Sequence, residues 1–307
     1  MNRRAFLRAL PAIAGTVGAL RYSPIGSDGK VAEEVHLAFL SDTHIPSSHT
    51  FREAPPGHFG YAPRDNLRQA VERLLIDMPE GAIILGDLAR RDGQPEDYAE
   101  LKALLEPLNG NVPYYLMPGN HDHRARFSAA FPVWAGKKNA PLRDRLVFVV
   151  EAGPVRLILL DSLFITNHAA GLLGKAQRTW LDIFLSEADD TPTLLCVHHP
   201  PGDGDGDLLD SDRLYRMIGV YPQVKALLFG HSHAFGHGKV NGLHLVNVPA
   251  VGYAFNAEQP VGWLDARITA SGATFTLRTI PQNAPDDGMV LDVKWSRHTT
   301  TPSPPPG

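Results

Sequence analysis

The chain reads as an α/β fold with a mixed sheet, and three observations predict it. Short apolar runs free of charge recur along the chain. Segments with helical period lie between them, and the pattern turns to alternation after the last of the runs. The runs Leu37–Leu40, Ala82–Leu85, Tyr114–Met117, Leu194–Val197 and Ala226–Phe229 are each four residues long. They read as strands buried on both faces, which need no polar alternation.

Between them, Leu67, Ala70, Val71, Leu74 and Leu75 form one apolar stripe of helical spacing. Tyr98, Leu101, Leu104 and Leu105 form a second, and Trp180, Leu181, Phe184 and Leu185 a third. Each is read as a helix packed on a sheet. After His233, the segments Leu243–Val248, Gly262–Ile268 and Thr274–Ile280 and the turn Ala270-Ser271-Gly272 predict antiparallel strands. The chain carries no internal repeat. From residue 283 to 307 it ends in a Pro/Thr-rich tail expected to be disordered.

A chain of 307 residues that is 43% apolar can bury a large core, and one catalytic domain over residues 29–282 is enough. A net charge of −4 without a lysine-arginine stripe argues against a nucleic-acid surface. Cys196 is the single cysteine, so no internal disulfide forms. Inside an apolar strand it reads as an inert buried residue.

Each of the five runs is followed directly by a polar group. In order these are Asp42-Thr43-His44, Gly86-Asp87, Gly119-Asn120-His121-Asp122, His198-His199-Pro200 and Gly230-His231-Ser232-His233. A strand buried on both faces can present such side chains only where it leaves the sheet. All five groups therefore gather at the carboxyl edge, where open α/β sheets bind ligands. Carboxylates, imidazoles and one amide suit Mn, Fe, Zn or Co rather than calcium or a thiolate-bound metal. Alternation predicts that Asp42 and His44 point to one side, and likewise His231 and His233. Asp87 stands alone after its glycine and is read as a bridge with one oxygen on each of two ions.

This ordered set resembles the calcineurin-like metallophosphoesterase superfamily, over about residues 34 to 282. The resemblance implies a four-layer α/β/β/α sandwich with two mixed central sheets and a metal site at the strand carboxyl ends. It implies two divalent ions, one held by Asp42, His44, Asp87 and His233, the other by Asp87, Asn120, His198 and His231. His121 would then face substrate as the acid that assists the leaving group, with Asp122 holding its ring. His199 would stand behind the ligands or at the rim. Within the superfamily, three features look most like class III cyclic-nucleotide phosphodiesterases and glycerophosphodiesterases. These are Asp161-Ser162 after Leu157–Leu160, the segment Gly171–Leu185 with its Gln177 and Trp180-Leu181, and His198-His199 before Pro200-Pro201. Purple acid phosphatases differ: they carry a tyrosine three residues after the bridging aspartate, where this chain has Arg90, and they lack the histidine that is His44 here.

The implied chemistry is hydrolysis of a small phosphoester. Two cations about 3.5–4 Å apart lower the pKa of a shared water to about 7, and the resulting hydroxide attacks phosphorus in line. Phosphodiesters are favoured. The alternatives are a phosphomonoesterase or nucleotidase with the same ions and, outside the enzymes, a metal-binding scaffold.

Asn2-Arg3-Arg4-Ala5-Phe6-Leu7-Arg8 resembles the twin-arginine export motif, and Ala9–Leu20 is too short to span a bilayer. Residues 1–28 are thus expected to engage the twin-arginine export machinery and to send the protein to the periplasm or outside. Without cleavage the protein would be membrane-tethered. Pro46–Pro63, with His49, Arg52, His58, Phe59 and Tyr61, reads either as a lid over the ions or as a solvated insertion. Gly202–Asp210 reads as a flexible rim, because its sixth and twelfth positions, Leu208 and Leu214, do not fit a calcium loop. Arg124 and Arg126 either meet a phosphate oxygen or pair with surface acids.

Overall fold

A computed structural model of the chain describes residues 33–47, 55–132, 142, 144–281 and 284–296. The export segment, part of the Pro46–Pro63 loop and the last eleven residues lie outside the described residues. Among the described residues, no helix is long and apolar enough to cross a membrane.

Twelve strands of the described residues form two six-stranded sheets. In chain order, β1 (Glu34–Leu40), β2 (Gly81–Ile84) and β3 (Tyr114–Leu116) run parallel in the first sheet. The chain then builds the second sheet from β4 (Phe148–Ala152), β5 (Val155–Leu159), β6 (Thr193–Cys196), β7 (Val224–Phe229), β8 (Gly236–Val240) and β9 (Leu243–Asn247). It returns to the first sheet through β10 (Gly262–Thr269), β11 (Gly272–Thr279) and β12 (Val290–Lys294), with β10 antiparallel to β1. The spatial orders are β12-β11-β10-β1-β2-β3 and β4-β5-β6-β7-β9-β8. The helices are α1 (Pro63–Asp77), α2 (Pro95–Leu105), α3 (Arg124–Ala130), α4 (Gly174–Glu187) and α5 (Ser211–Ile218).

Burial on both faces explains the uninterrupted apolar runs. In β1, Val35, Leu37 and Phe39 enter the core between the sheets, while Ala38 and Leu40 enter the core under α1 and α2. A third core joins the second sheet to α4 and α5 through Leu181, Leu185, Leu195, Leu227 and Leu214. The result is the four-layer α/β/β/α sandwich. Cys196 lies in the central core, and burial pushes its thiol well above the ordinary range, which makes it inert. The stripe of α1 is buried at Leu67, Ala70, Val71 and Leu74. That helix starts on a proline and stops at Met78, whose left-handed backbone donates its N–H to Leu74.

Two expectations need correction, and one strand has no sequence signal. The tail is not disordered from residue 283, because β12 pairs with β11 from Gly272–Lys294 to Thr276–Val290. Leu291 and Val293 pack on the central core, and the Trp295 indole bonded to Thr269 holds the strand there, a signal masked by the proline-rich residues that follow. The run Leu243–Val248 is antiparallel only to β8, and its strand pairs in parallel with β7. Strand β8, Gly-His-Gly-Lys-Val, is an exposed edge with no apolar pattern to announce it.

One polar pair crosses β1 and β10. His36 Nε2 lies 2.7 Å from Asp265 Oδ1, both nearly buried. Burial works to raise the Asp265 carboxyl, but His36 and then Arg278 outweigh it and hold it below its usual value. A depressed carboxyl adds stability above its unfolded pKa of about 3.9 and loses it as pH falls through the folded value. Asp265→Asn is expected to cost about 1 kcal/mol at neutral pH. Chemical denaturation should show the difference from wild type shrinking below about pH 3.9.

Candidate metal centre

All five polar groups sit where the parallel strands end, at one edge shared by both sheets. Asp42 and His44 follow β1, Asp87 follows β2, and Asn120 and His121 follow β3. His198 follows β6, and His231 and His233 follow β7. Strand alternation is not what aims them. The strands have ended, and Asp42, His44, Asp87, His231 and His233 all take left-handed backbone with φ between 47° and 68°. Each such non-glycine residue costs about 1 kcal/mol or more, and concentrations of this strain mark functional sites. Ladder-like bonds hold the strain in place: Asp42 N–H to Gly86 O at 3.0 Å and His44 N–H to Asp87 O at 2.9 Å. Gly86 has φ of +107°, and a Cβ there would stand 2.7 Å from His198 Nδ1.

The side chains converge as sets with ligand spacing: Asp42, His44 and His233; Asp42, Asp87 and His198; His44, Asp87 and His121; and His198, His199 and His231. The two histidines after β7 thus diverge, His233 to the first of these sets and His231 to the last. Asp87 stands between clusters. Its Oδ1 is 3.4 Å from His198 Nε2 and its Oδ2 is 3.7 Å from His44 Nε2. Asn120 Oδ1 is 3.2 Å from His198 Nε2.

Four imidazoles share one arrangement. The Nδ1 atoms of His44, His121, His198 and His233 face the carbonyls of Arg90, Arg91, Leu85 and Tyr253 at 3.3, 2.6, 2.8 and 2.7 Å. A carbonyl only accepts, so Nδ1 carries the hydrogen, and a ring held this way turns its Nε2 lone pair inward whenever it is neutral, the tautomer that metal-binding histidines use. The consequence is acceptor facing acceptor. His44 Nε2 and His233 Nε2 are 3.0 Å apart. Asp42 Oδ1, buried with no hydrogen-bond partner, is 3.4 Å from His233 Nε2. Facing lone pairs with no hydrogen between them call for a cation, so the donor set fits divalent ions.

The field agrees. Burial acts to raise the Asp42 and Asp87 carboxyls, but His233 and then His198 hold Asp42, and His198 and then His121 hold Asp87, well below the usual range. Burial alone would lower His198, yet Asp87 and Asp42 push it up to about 9. Burial lowers His44 to about 3. The pocket draws positive charge to its two carboxylates.

Asp122 does not hold the His121 ring. Its buried carboxylate accepts from Leu88 N, Ala89 N, Gly119 N and the Tyr98 hydroxyl at 2.8–3.2 Å. It thereby ties the turn after β3 to the Asp87 turn, while Arg91 O holds the imidazole. Burial, then Asp87, pushes Asp122 up to about 6. Its four partners are all donors, which favours the carboxylate.

His199 is not at the rim. It is fully buried, with Nδ1 2.7 Å from Ser162 Oγ and its ring 4.9 Å from those of His198 and His231. Arg124 meets a buried acid rather than a surface one: its Nε and Nη2 bind Asp161 Oδ2 and Oδ1 at 2.6 and 2.9 Å. Arg126 Nη1 reaches Asp92 O and Gly93 O at 3.4 Å. The Arg124 pair joins the turn after β3 to the end of β5. Arg124→Ala leaves a buried carboxylate short of a partner and is expected to cost about 3 kcal/mol in urea unfolding. Asp161 also receives Leu146 N at Oδ2 and Leu163 N at Oδ1, so in Asp161→Asn the amide NH2 must face donors, and that variant should lose a comparable amount.

Of the loop residues named above, His58, Phe59 and Tyr61 are described, and His58 and Tyr61 pack on Tyr253 beside His44, with centroids 4.3 and 5.3 Å away.

Comparison with known proteins bears on this geometry. The family model described as calcineurin-like phosphoesterase matches residues 35–235. A 3',5'-cyclic-nucleotide phosphodiesterase of Nostoc sp. is 28% identical over 73% of this chain and 81% of its own length. A probable glycerophosphodiester phosphodiesterase of Arcobacter nitrofigilis is 31% identical over 63% of this chain and 70% of its own. Among solved structures, a dimetal phosphatase from Danio rerio superposes with a TM-score of 0.67 at 14% identity, covering 85% of this chain and 99% of its own. That last likeness concerns the fold alone.

Proposed function

Since the chain belongs to the calcineurin-like phosphoesterase family and is a phosphoric ester hydrolase, we propose that it cleaves phosphodiesters in preference to monoesters. The observation that carries its two-ion centre is Asp87, with one oxygen toward His198 and the other toward His44. In it, Asp42, His44, Asp87 and His233 hold one divalent ion, and Asp87, Asn120, His198 and His231 a second, drawn from Mn, Fe, Zn or Co. Such a pair supplies a nucleophile at neutral pH and neutralises the phosphoryl oxygens. The diester preference is supported by the names of the Nostoc and Arcobacter relatives.

The remaining work falls to the protein. His121 has a quarter of its side chain exposed, and its Nε2 lies 4.0 Å from Asp87 Oδ2. With Nδ1 fixed on Arg91 O, Nε2 is the atom that meets substrate and gives a proton to the leaving alkoxide. Asp122 positions rather than reacts. We further propose export through the twin-arginine route, placing the enzyme in the periplasm or outside, or tethered at the membrane where residues 1–28 remain.

The test is the rate on bis-p-nitrophenyl phosphate against p-nitrophenyl phosphate with manganese-loaded protein. Faster diester cleavage, abolished by EDTA and restored by manganese, is the expected outcome. Faster monoester cleavage would make the protein a phosphatase or nucleotidase, and no cleavage by loaded protein would leave a binding scaffold.

A further inference from the structure

One side of the site is polar and the other is aromatic. Tyr253 is 8% exposed and lies against His44 and His233, with ring centroids 5.0 and 4.4 Å away. Phe255 stacks on the His233 imidazole at 4.2 Å and 26°. Tyr253 and His58 meet Phe255 edge-on at 5.5 and 5.7 Å. Yet Phe255 is 52% exposed, and so is 44% of Phe59. Paired backbone bonds join their segments, Phe59 N–H to Ala254 O at 2.8 Å and Ala254 N–H to Phe59 O at 2.9 Å.

These rings are not needed to close a core, since half of each meets solvent. Phe255 is nevertheless fixed in orientation on three sides, and the ring it covers belongs to a residue of the inner cluster. A flat, immobile, half-exposed ring offers a stacking face at little entropic cost.

We propose that Phe255, flanked by Phe59, is a stacking subsite that selects phosphodiesters in which one ester group carries a planar ring over those with small aliphatic groups. The proposal rests on the phosphodiesterase reading. An incoming ring extends the row from His233 through Phe255, placing its phosphate on the cluster side. Glycerol and ethanolamine groups have no π-face and gain nothing from this wall. Base–aromatic stacking is of the size to shift selectivity about tenfold or more.

The experiment compares kcat/KM for adenosine 3',5'-cyclic monophosphate with that for glycerophosphoethanolamine in manganese-loaded wild type, F255A, F255L and F255W. The ratio is expected to fall about tenfold in F255A and F255L, through KM for the nucleotide, and to recover in F255W. The indole of F255W should also be quenched by adenosine 5'-monophosphate and not by glycerol 3-phosphate, a binding signal that needs no turnover. An unchanged ratio in F255L, which keeps bulk without the flat face, would overturn the subsite even where F255A failed to fold. Should neither diester be cleaved while the quenching persists, the phosphodiesterase reading falls and the subsite stands. Without quenching, the subsite falls.

Discussion

Asp87→Asn is expected to weaken both ions together, each by more than about a hundredfold, and to cut diester turnover by more than about a thousandfold. The geometry dictates how. Asp87 Oδ1 accepts the His121 N–H at 2.7 Å, so the amide oxygen of the variant stays at that position. Its NH2 then replaces Oδ2, which lies 3.7 Å from His44 Nε2. A donor now points at the imidazole lone pair where the native pocket presents a carboxylate oxygen to a cation. The site also loses one of its two buried charges, which both clusters share. Metal content after gel filtration, and calorimetric titration with manganese, are the measurements. Circular dichroism should stay native, because every backbone bond of the turn is kept. One ion at full occupancy would contradict the bridge.

Why Asp87 was legible in the sequence, and Asp122 was not, comes down to what each environment demands. The ligand candidates follow runs buried on both faces, and a buried strand leaves few places for polar chemistry. The order of apolar run and polar group was therefore enough to gather Asp42, His44, Asp87, Asn120, His198, His231 and His233 at one edge. Their aim was not legible, because it depends on left-handed backbone at five of them rather than on strand alternation. Asp122 adjoins His121, and adjacency suggested contact. The tight turn, with Asp122 N–H on Gly119 O at 3.2 Å, sends the two side chains opposite ways.

The same limit explains His199, Arg124 and β12. A doubled histidine looks redundant until Ser162 receives the second one across the second sheet. Arg124 and Asp161 are distant in sequence and meet only because the turn after β3 crosses to the end of β5. The strand β12 carries too few apolar residues to stand out from a polar, proline-rich end, and it forms because β11 offers it an open edge. Long-range partners decided each case.

His121→Ala is expected to keep both ions and yet lower turnover of esters with poor leaving groups by about 10²–10⁴-fold. The ring is held from Nδ1 by Arg91 O, and its Nε2 is 4.0 Å from the nearest Asp87 oxygen. It contributes to the clusters only at their edge. What it offers is a proton at the exposed side, and the need for one depends on the leaving group. A p-nitrophenolate departs without help, so bis-p-nitrophenyl phosphate should be cleaved at a rate far closer to wild type than an alkyl diester. The measurement is a series of diesters of rising leaving-group pKa, with manganese affinity determined in parallel. A steeper dependence in the variant at unchanged affinity supports the acid role. Because the His121 ring also packs edge-on against His44 at 5.2 Å, a uniform loss across the series with weakened manganese binding would mean that it supports His44 instead. His121→Gln separates these further: it refills the space against His44 but has no acidic proton, so metal affinity should recover while the leaving-group dependence stays steep.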